Sequence, residues 1–177
     1  SEMCIRDRWR GVQEGLDAVI TNPGIILGPG DWSRSSTTFF KSVKRGLPYY
    51  PVGKNGFVDV RDVSKSIIQL TKSEISAEKY IIVAENNSYE KIFKTIASSF
   101  NIPLPEKKAT PFLLEIAWRY EGLKKLFSSR KPSITKETAR TSSMINIYEN
   151  NKIVEELNYK FNSIEDAIQN ATDYFRN

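Results

Sequence analysis

Buried-strand and amphipathic-helix patterns alternate along the first hundred residues. Asp17 to Asn22 (DAVITN) is apolar and β-branched without polar alternation, which predicts a strand covered on both faces of a parallel sheet. Pro23 ends it, and GIILGPGDW then sets Gly24, Gly28, Pro29 and Gly30 around a short apolar stretch, the makeup of a loop whose backbone can approach a ligand closely. Ser35, Ser36 and Thr37 are candidate N-caps for the helix FFKSVKRG, with Gly46 as its stop. A strand pair punctuated by Pro and Gly is expected from Tyr49 to Val60. Asp62 is positioned to cap VSKSIIQLTKS, with Val63, Ile67, Ile68 and Leu70 as its inner stripe. Lys79 to Ala84 is another buried strand, and Ser88 caps a helix in which Ile92, Phe93, Ile96, Ala97 and Phe100 recur at helical spacing. This alternation is the mark of an α/β domain.

Beyond Phe100 the pattern changes. Pro103, Pro105 and Pro111 interrupt it and lead into a mostly helical half, where Phe112, Leu113, Ile116, Tyr120, Leu123 and Phe127 form one expected stripe. Glu115 with Arg119 and Glu121 with Lys125 are spaced i, i+4 on its other faces. A last helix runs from Ile164 to Phe175 behind a Ser163 cap, with Asp166 three positions on. Upstream, Trp9 to Glu14 reads as the tail of a helix stopped by Gly15.

Composition narrows the chemistry. The 177 residues are 40% hydrophobic and 27% charged, ordinary values for a folded domain. The longest apolar runs, such as Ile81 to Ala84, fall far short of a membrane span. Histidine is absent, which removes imidazole acid-base catalysis, His-paired nucleophiles and His-containing metal sites, and the single cysteine, Cys4, can build neither an internal disulfide nor a Cys-rich zinc site. No metal site is expected, and a reducing, cytoplasmic location is the default. The net charge of +5 is confined to residues 101–140, which carry nine Lys or Arg against four Glu. With no RNA-recognition strand or cysteine-histidine finger nearby, that stretch reads as a solvated face and nucleic acid is not an expected partner.

Residues 1–8, SEMCIRDR, lack both an initiator methionine and the apolar core of a signal peptide, and they resemble translated sequencing-adapter sequence. They are expected to be foreign or disordered, with something else preceding Trp9.

Three segments in order, VITNPGIILGPGDW, FFKSVKRGLPYYPVGKNGFVDVRDVSKSII and ELNYKFNSIEDAI, resemble the C-terminal half of the extended short-chain dehydrogenase/reductase family. The likeness is to its dihydroflavonol-reductase-like and NAD-dependent epimerase/dehydratase branch. It implies that residues 9–100 form the C-terminal part of a Rossmann-type doubly wound parallel sheet. Residues 101–177 then form a mostly helical substrate or lid region. It implies NAD or NADP as cofactor of the intact parent, a small carbonyl or hydroxyl substrate, and a homodimer as a possible assembly. Asn22, Pro23, Gly24 and Ile25 would border the nicotinamide, at the strand end where open α/β sheets bind ligands.

Ser36 falls where relatives contact the cofactor, although capping alone would also explain it. Arg61 would either reach an anionic substrate with its planar fork or pair with a neighbouring carboxylate. For Asp62, capping is the simpler role. Phe39, Phe40, Tyr49 and Tyr50 are candidates for the substrate pocket, with plain core as the alternative.

Two departures from the family pattern matter. No G-x-x-G-x-x-G turn is present, and the family's Tyr-x-x-x-Lys spacing occurs only at Tyr120 and Lys124, far downstream of the Pro23 loop, where it reads as a decoy. No catalytic residue is therefore assigned to this chain, and the parent's catalytic pair is expected upstream. Two further functions stand open: a non-catalytic nucleotide or metabolite binding module, and peripheral membrane association through the Phe112 to Lys131 helix. Strands apolar on both faces need neighbours, so the isolated chain is also expected to be prone to aggregation.

Overall fold

The computed structural model describes residues 2–31, 36–125 and 136–176. Helix α1 (Glu2–Gln13) ends at Gly15, whose φ of 98° lets its N–H reach the Val12 carbonyl at 3.1 Å and the Leu16 N–H reach that of Gly11 at 2.9 Å. The helix starts well upstream of Trp9, so residues 2–8 are helical. Glu, Met and Arg are good helix formers, and a helix already nucleated extends at little cost.

The strand expected at Asp17 to Asn22 forms slightly later, as β1 (Ile20–Pro23), and resumes after Gly24 as β2 (Ile25–Leu27). The stretch read as a loop is thus partly strand, because Ile25 and Ile26 find a partner; the loop begins only at Gly28. Strand β1 lies parallel to β5 (Lys79–Ile82), while β2 lies parallel to β4 (Lys54–Asp59), with Ile25 opposite Phe57 and Leu27 opposite Asp59. The other edge of β4 takes β6 (Glu85–Ser88) in antiparallel register.

The two strands foreseen between Tyr49 and Val60 exist but do not pair with each other. Strand β3 (Tyr49–Pro51) instead lies parallel to β7 (Lys107–Ala109). Residues 142–146 occupy the backbone where a hairpin would close: Gly53 N–H donates to the Ser142 carbonyl, Lys54 N–H to that of Met144, and Asn146 N–H to that of Lys54.

Successive residues of a strand face opposite ways, and β4 shows the result. Phe57 enters a core with Leu27 of β2, Phe40 of α2 (Thr37–Lys44), Ile92 and Ile96 of α4 (Tyr89–Phe100), and Ile168 of α8 (Ile164–Arg176). Val58 enters a second core with Leu70 of α3 (Val60–Thr71), Tyr80 and Ile82 of β5, and Ile153 of α7 (Asn151–Leu157). Helices on both faces of short, mainly parallel strands make the α/β, Rossmann-like layering expected. Caps foreseen at Ser88 and Ser163 are in place, accepting from the N–H groups of Lys91 and Asp166 at 3.2 and 3.1 Å. Gly46 closes α2 at φ 76°.

The cap of α3 is Asp59, not Asp62. Strand β4 runs straight into the helix, and Asp59, still extended at φ −71° and ψ 139°, accepts the Arg61 N–H at 2.7 Å. Asp62 lies in the first turn and is fully buried. Its carboxylate accepts from the Asn162 N–H at 2.9 Å, the Asn162 side-chain amide at 3.0 Å and the Tyr159 hydroxyl at 3.2 Å. This phase turns Asp62, Ser66 and Leu70 inward and leaves Ile67 and Ile68 of the expected stripe in solvent.

The stripe expected on α5 (Pro111–Lys125) is likewise displaced. Phe112, Leu113, Ile116 and Tyr120 are exposed, whereas Leu114 and Trp118 pack with Ala109 and with Ala139 of α6 (Lys136–Thr141). The Glu115–Arg119 pair forms at 2.8 Å. Trp32, Ser35 and Phe127 lie outside the described residues, as do the side chains of Glu121, Leu123 and Lys125.

Two measurements follow from the buried polar groups. Replacing Asp62→Ala strands the two Asn162 donors, each loss costing about 1 to 3 kcal/mol when buried, while the Tyr159 hydroxyl keeps the residue-62 backbone carbonyl at 2.9 Å, so equilibrium urea denaturation should show a drop of about 2 to 4 kcal/mol. Lys152→Ala, which removes a partly exposed ion pair with Glu78, should cost less than about 1 kcal/mol. Burial, then the hydrogen-bonded Glu156 carboxylate, raises the Tyr80 phenol from 10.0 to about 12. The folded state therefore favours the protonated phenol. That contribution is complete below pH 10 and is lost as pH rises towards 12, so the urea midpoint should fall across this window, less steeply in Tyr80→Phe.

Candidate functional site

The residues expected at the cofactor lie along one extended segment. Asn22 and Pro23 are exposed at the C-terminal end of β1, the position at which open α/β sheets meet ligands. Gly24 donates its N–H to the Ile82 carbonyl at 3.1 Å, and Ile25 begins β2. A Cβ on Gly24 would lie 2.5 Å from the Gly56 carbonyl oxygen and 2.9 Å from Val83 Cγ2, so the backbones touch where the segment changes partner strand.

Ser36 precedes α2 but makes no capping bond. Its buried hydroxyl donates to the Ile26 carbonyl, and the Thr37 hydroxyl donates to that of Asp31. Both ties hold the start of α2 against the loop after β2. For Arg61 the structure shows the carboxylate partner: its guanidinium Nε lies 2.9 and 3.1 Å from the two Asp59 oxygens, and that hydrogen bonding pushes the guanidinium pKa up. Arg61 borders a shallow groove along the outside of α3, away from the aromatic candidates.

Those aromatic candidates divide. Phe40 and Tyr50 are core residues, the Phe40 ring meeting that of Phe175 at 5.6 Å and a tilt of 51°. Phe39 and Tyr49 line a cavity of about 560 Å³. Its α/β wall comes from α2, β3 and α4, where Phe39 meets Tyr89 edge-on at 5.9 Å and Phe93 at 5.4 Å. Its opposite wall is helical: Leu113, Leu114 and Ala117 of α5, then Thr138, Thr141 and Ser142 at α6. Burial raises the Tyr89 phenol pKa, and its oxygen lies 3.4 Å from the Asn55 amide nitrogen.

The sequence marked Phe93 as core and passed over the hydroxyls of TARTSS, whose density on one short helix was the available signal. Tyr120 projects into solvent from α5 and is not among the residues lining the cavity. Among the described residues, no helix is long and apolar enough to cross a membrane.

No family model matches the sequence. Over 172 residues the chain is 28% identical to a Synechocystis sp. protein provisionally named dihydroflavonol 4-reductase, covering 93% of this chain and 50% of that one. Its fold matches a nucleoside-diphosphate-sugar epimerase from Pseudomonas aeruginosa with a TM-score of 0.75 at 18% identity, over 97% of this chain and 52% of the epimerase. It also matches UDP-glucose 4-epimerase from Thermus thermophilus, solved with NAD, with a TM-score of 0.66 at 15% identity, over 97% and 50%. The chain spans about half the length of the relatives it matches. These findings bear out the resemblance drawn from the three sequence segments, and the solved structures carry the same α/β architecture.

The contact at Gly24 yields a direct test. Gly24→Ala drives a methyl group into backbone and should destabilise the chain by the upper end of the about 1 to 3 kcal/mol typical of overpacking. Gly30→Ala, whose new Cβ would meet nothing closer than Thr37 Cγ2 at 3.5 Å, should change the thermal midpoint little.

Proposed function

We propose that the chain is the C-terminal part of an NAD(P)-dependent oxidoreductase or epimerase/dehydratase of the extended short-chain dehydrogenase/reductase type. In this role it supplies the nicotinamide-side strand end and the pocket for a small carbonyl or hydroxyl substrate. The observation that carries the proposal is the cavity of about 560 Å³ enclosed jointly by the α/β and helical parts, in a fold shared with enzymes of that type.

The residues present suit only one end of the cofactor. Asn22 and Pro23, exposed at the end of β1, and the close-packed turn at Gly24 would border the nicotinamide. Ser36 donates its hydroxyl proton to Ile26, so any cofactor contact there would use its lone pairs. A bound nicotinamide would supply or accept hydride. The residues of this chain would seat the substrate beside it, Phe39 and Phe93 excluding water from one side and α5 from the other.

On this proposal, the dinucleotide phosphates and the proton-transferring Tyr-Lys pair are served by residues outside the chain. The relatives' doubled length supports that assignment, as does the absence of a G-x-x-G-x-x-G turn from the sequence. The chain alone is then a non-catalytic module of a cytoplasmic protein, and the parent a possible homodimer.

The purified chain should show no NAD(P)H oxidation, followed as loss of nicotinamide absorbance, with carbonyl substrates. An intact gene for the parent should encode a Gly-rich βα turn and a Tyr-x-x-x-Lys helix ahead of the segment matching Trp9, and its product should turn over. Hydride transfer by the chain alone, abolished in Tyr120→Phe, would overturn the proposal.

A further inference from the structure

Helix α5 is apolar on more sides than its packing uses. Leu114 and Trp118 pack with Ala109 and Ala139, and Leu113, Leu114 and Ala117 line the cavity. Yet Phe112 is 73% exposed, Ile116 51% and Tyr120 59%. These three recur at every fourth position, so they form one strip along about 12 Å of the helix, on a different face from the one that meets α6. The two charged residues between them, Glu115 and Arg119, are tied to each other at 2.8 Å beside the strip. A helix that is apolar all round belongs in a buried setting, and a contiguous apolar strip left in water marks a surface that something else covers.

Charge identifies the cover. Residues 101–140 hold the whole net charge of +5, nine Lys or Arg against four Glu. Lys107 and Lys108 are exposed on β7, the strand that leads into α5, and Lys124 and Lys125 follow the strip in the sequence. Contact between two copies through this face would set like charge against like charge, whereas an anionic bilayer attracts each of these cations.

From the strip and the basic residues around it we infer that α5 docks the protein on an anionic lipid surface. Phe112, Ile116 and Tyr120 enter the boundary between headgroups and acyl chains, and the lysines stay among the headgroups. Trp118 takes no part, since its indole N–H donates to Glu115 at 2.8 Å and its ring packs towards Ala109 and Ala139. Leu113 and Ala117 line the cavity, so docking brings one wall of the cavity close to the lipid. Association of this kind goes beyond the proposed enzyme role and requires no hydride transfer.

The test floats the 177-residue chain on density gradients with vesicles of phosphatidylcholine, alone or mixed about 3:1 with phosphatidylglycerol. Partitioning onto the anionic vesicles should exceed that onto neutral ones by at least about tenfold and should fall as added salt screens the headgroups. Phe112→Gln with Ile116→Gln should weaken it by at least about tenfold. The urea midpoint of that variant should change little, because both side chains already face solvent and Gln is a good helix former. Lys107→Ala with Lys108→Ala should weaken partitioning by about fivefold or more, the factor that one basic residue near an anionic surface contributes. Ile67→Gln with Ile68→Gln, on the exposed face of α3 near Lys65 and Lys72, should leave it unchanged.

No flotation with anionic vesicles, equal flotation with neutral ones, or binding retained when Phe112 and Ile116 are replaced would overturn the inference. So would a dimer in sedimentation equilibrium that the same double variant dissociates, which would give the strip to a second copy of the chain.

Discussion

Between Gly24 and Gly56 there is no room for a side chain. A Cβ on the first would press on the carbonyl of the second, and a Cβ on Gly56 would lie 2.8 Å from both Val83 methyl groups and from the Tyr148 ring. This backbone contact lets one extended segment leave β5 and join β4 within a single residue. It thereby joins the two parallel pairings into one layer that helices cover on both faces. It also fixes where Asn22 and Pro23 emerge, and hence where a ligand can meet the strand end.

The polar groups drawn inside that layer are committed to holding elements together. Asp62 binds the chain after α7 to the first turn of α3, and Asn86 exchanges hydrogen bonds with the Tyr148 backbone. Asn150 donates to the Val83 carbonyl, next to the contact between the glycines. The cavity is different in kind: its aromatic wall is apolar, and the Thr141 and Ser142 hydroxyls bond to carbonyls of α6 itself. Among the described residues, charge serves the architecture and none of it lines the cavity.

Much of the fold is legible in the sequence where cap and spacing agree. Ser88 with Ile92, Phe93 and Ile96, and Ser163 with Ile164, Ala167 and Ile168, each leave one phase for the helix. In FVDVRDV two aspartates three residues apart could both cap, and local pattern cannot choose between them. Asp59 wins because the strand ends there, which rotates Ile67 and Ile68 outward. Helix α5 has apolar residues on two faces, and only the packing of α6 and β7 against Leu114 decides which is inner. The same limit governs the site. Phe39 and Tyr49 were separable from their neighbours Phe40 and Tyr50 only once the elements had an orientation, since adjacent residues point different ways. Arg61 found its partner two residues back, the second of the two roles that its sequence context left open.

Helices α5 and α6 are joined to the α/β part by the three-residue ladder of β3 with β7 and by the amides that residues 142–146 share with Gly53 and Lys54. Such a seam can part without disturbing the cores around Phe57 and Val58, so its opening belongs to local rather than global unfolding. Access to the enclosed space is then an equilibrium of the seam, separate from the stability of the domain. Any occupant that bridges both walls draws that equilibrium shut by mass action, and the grip on the occupant includes the free energy of closing the door behind it.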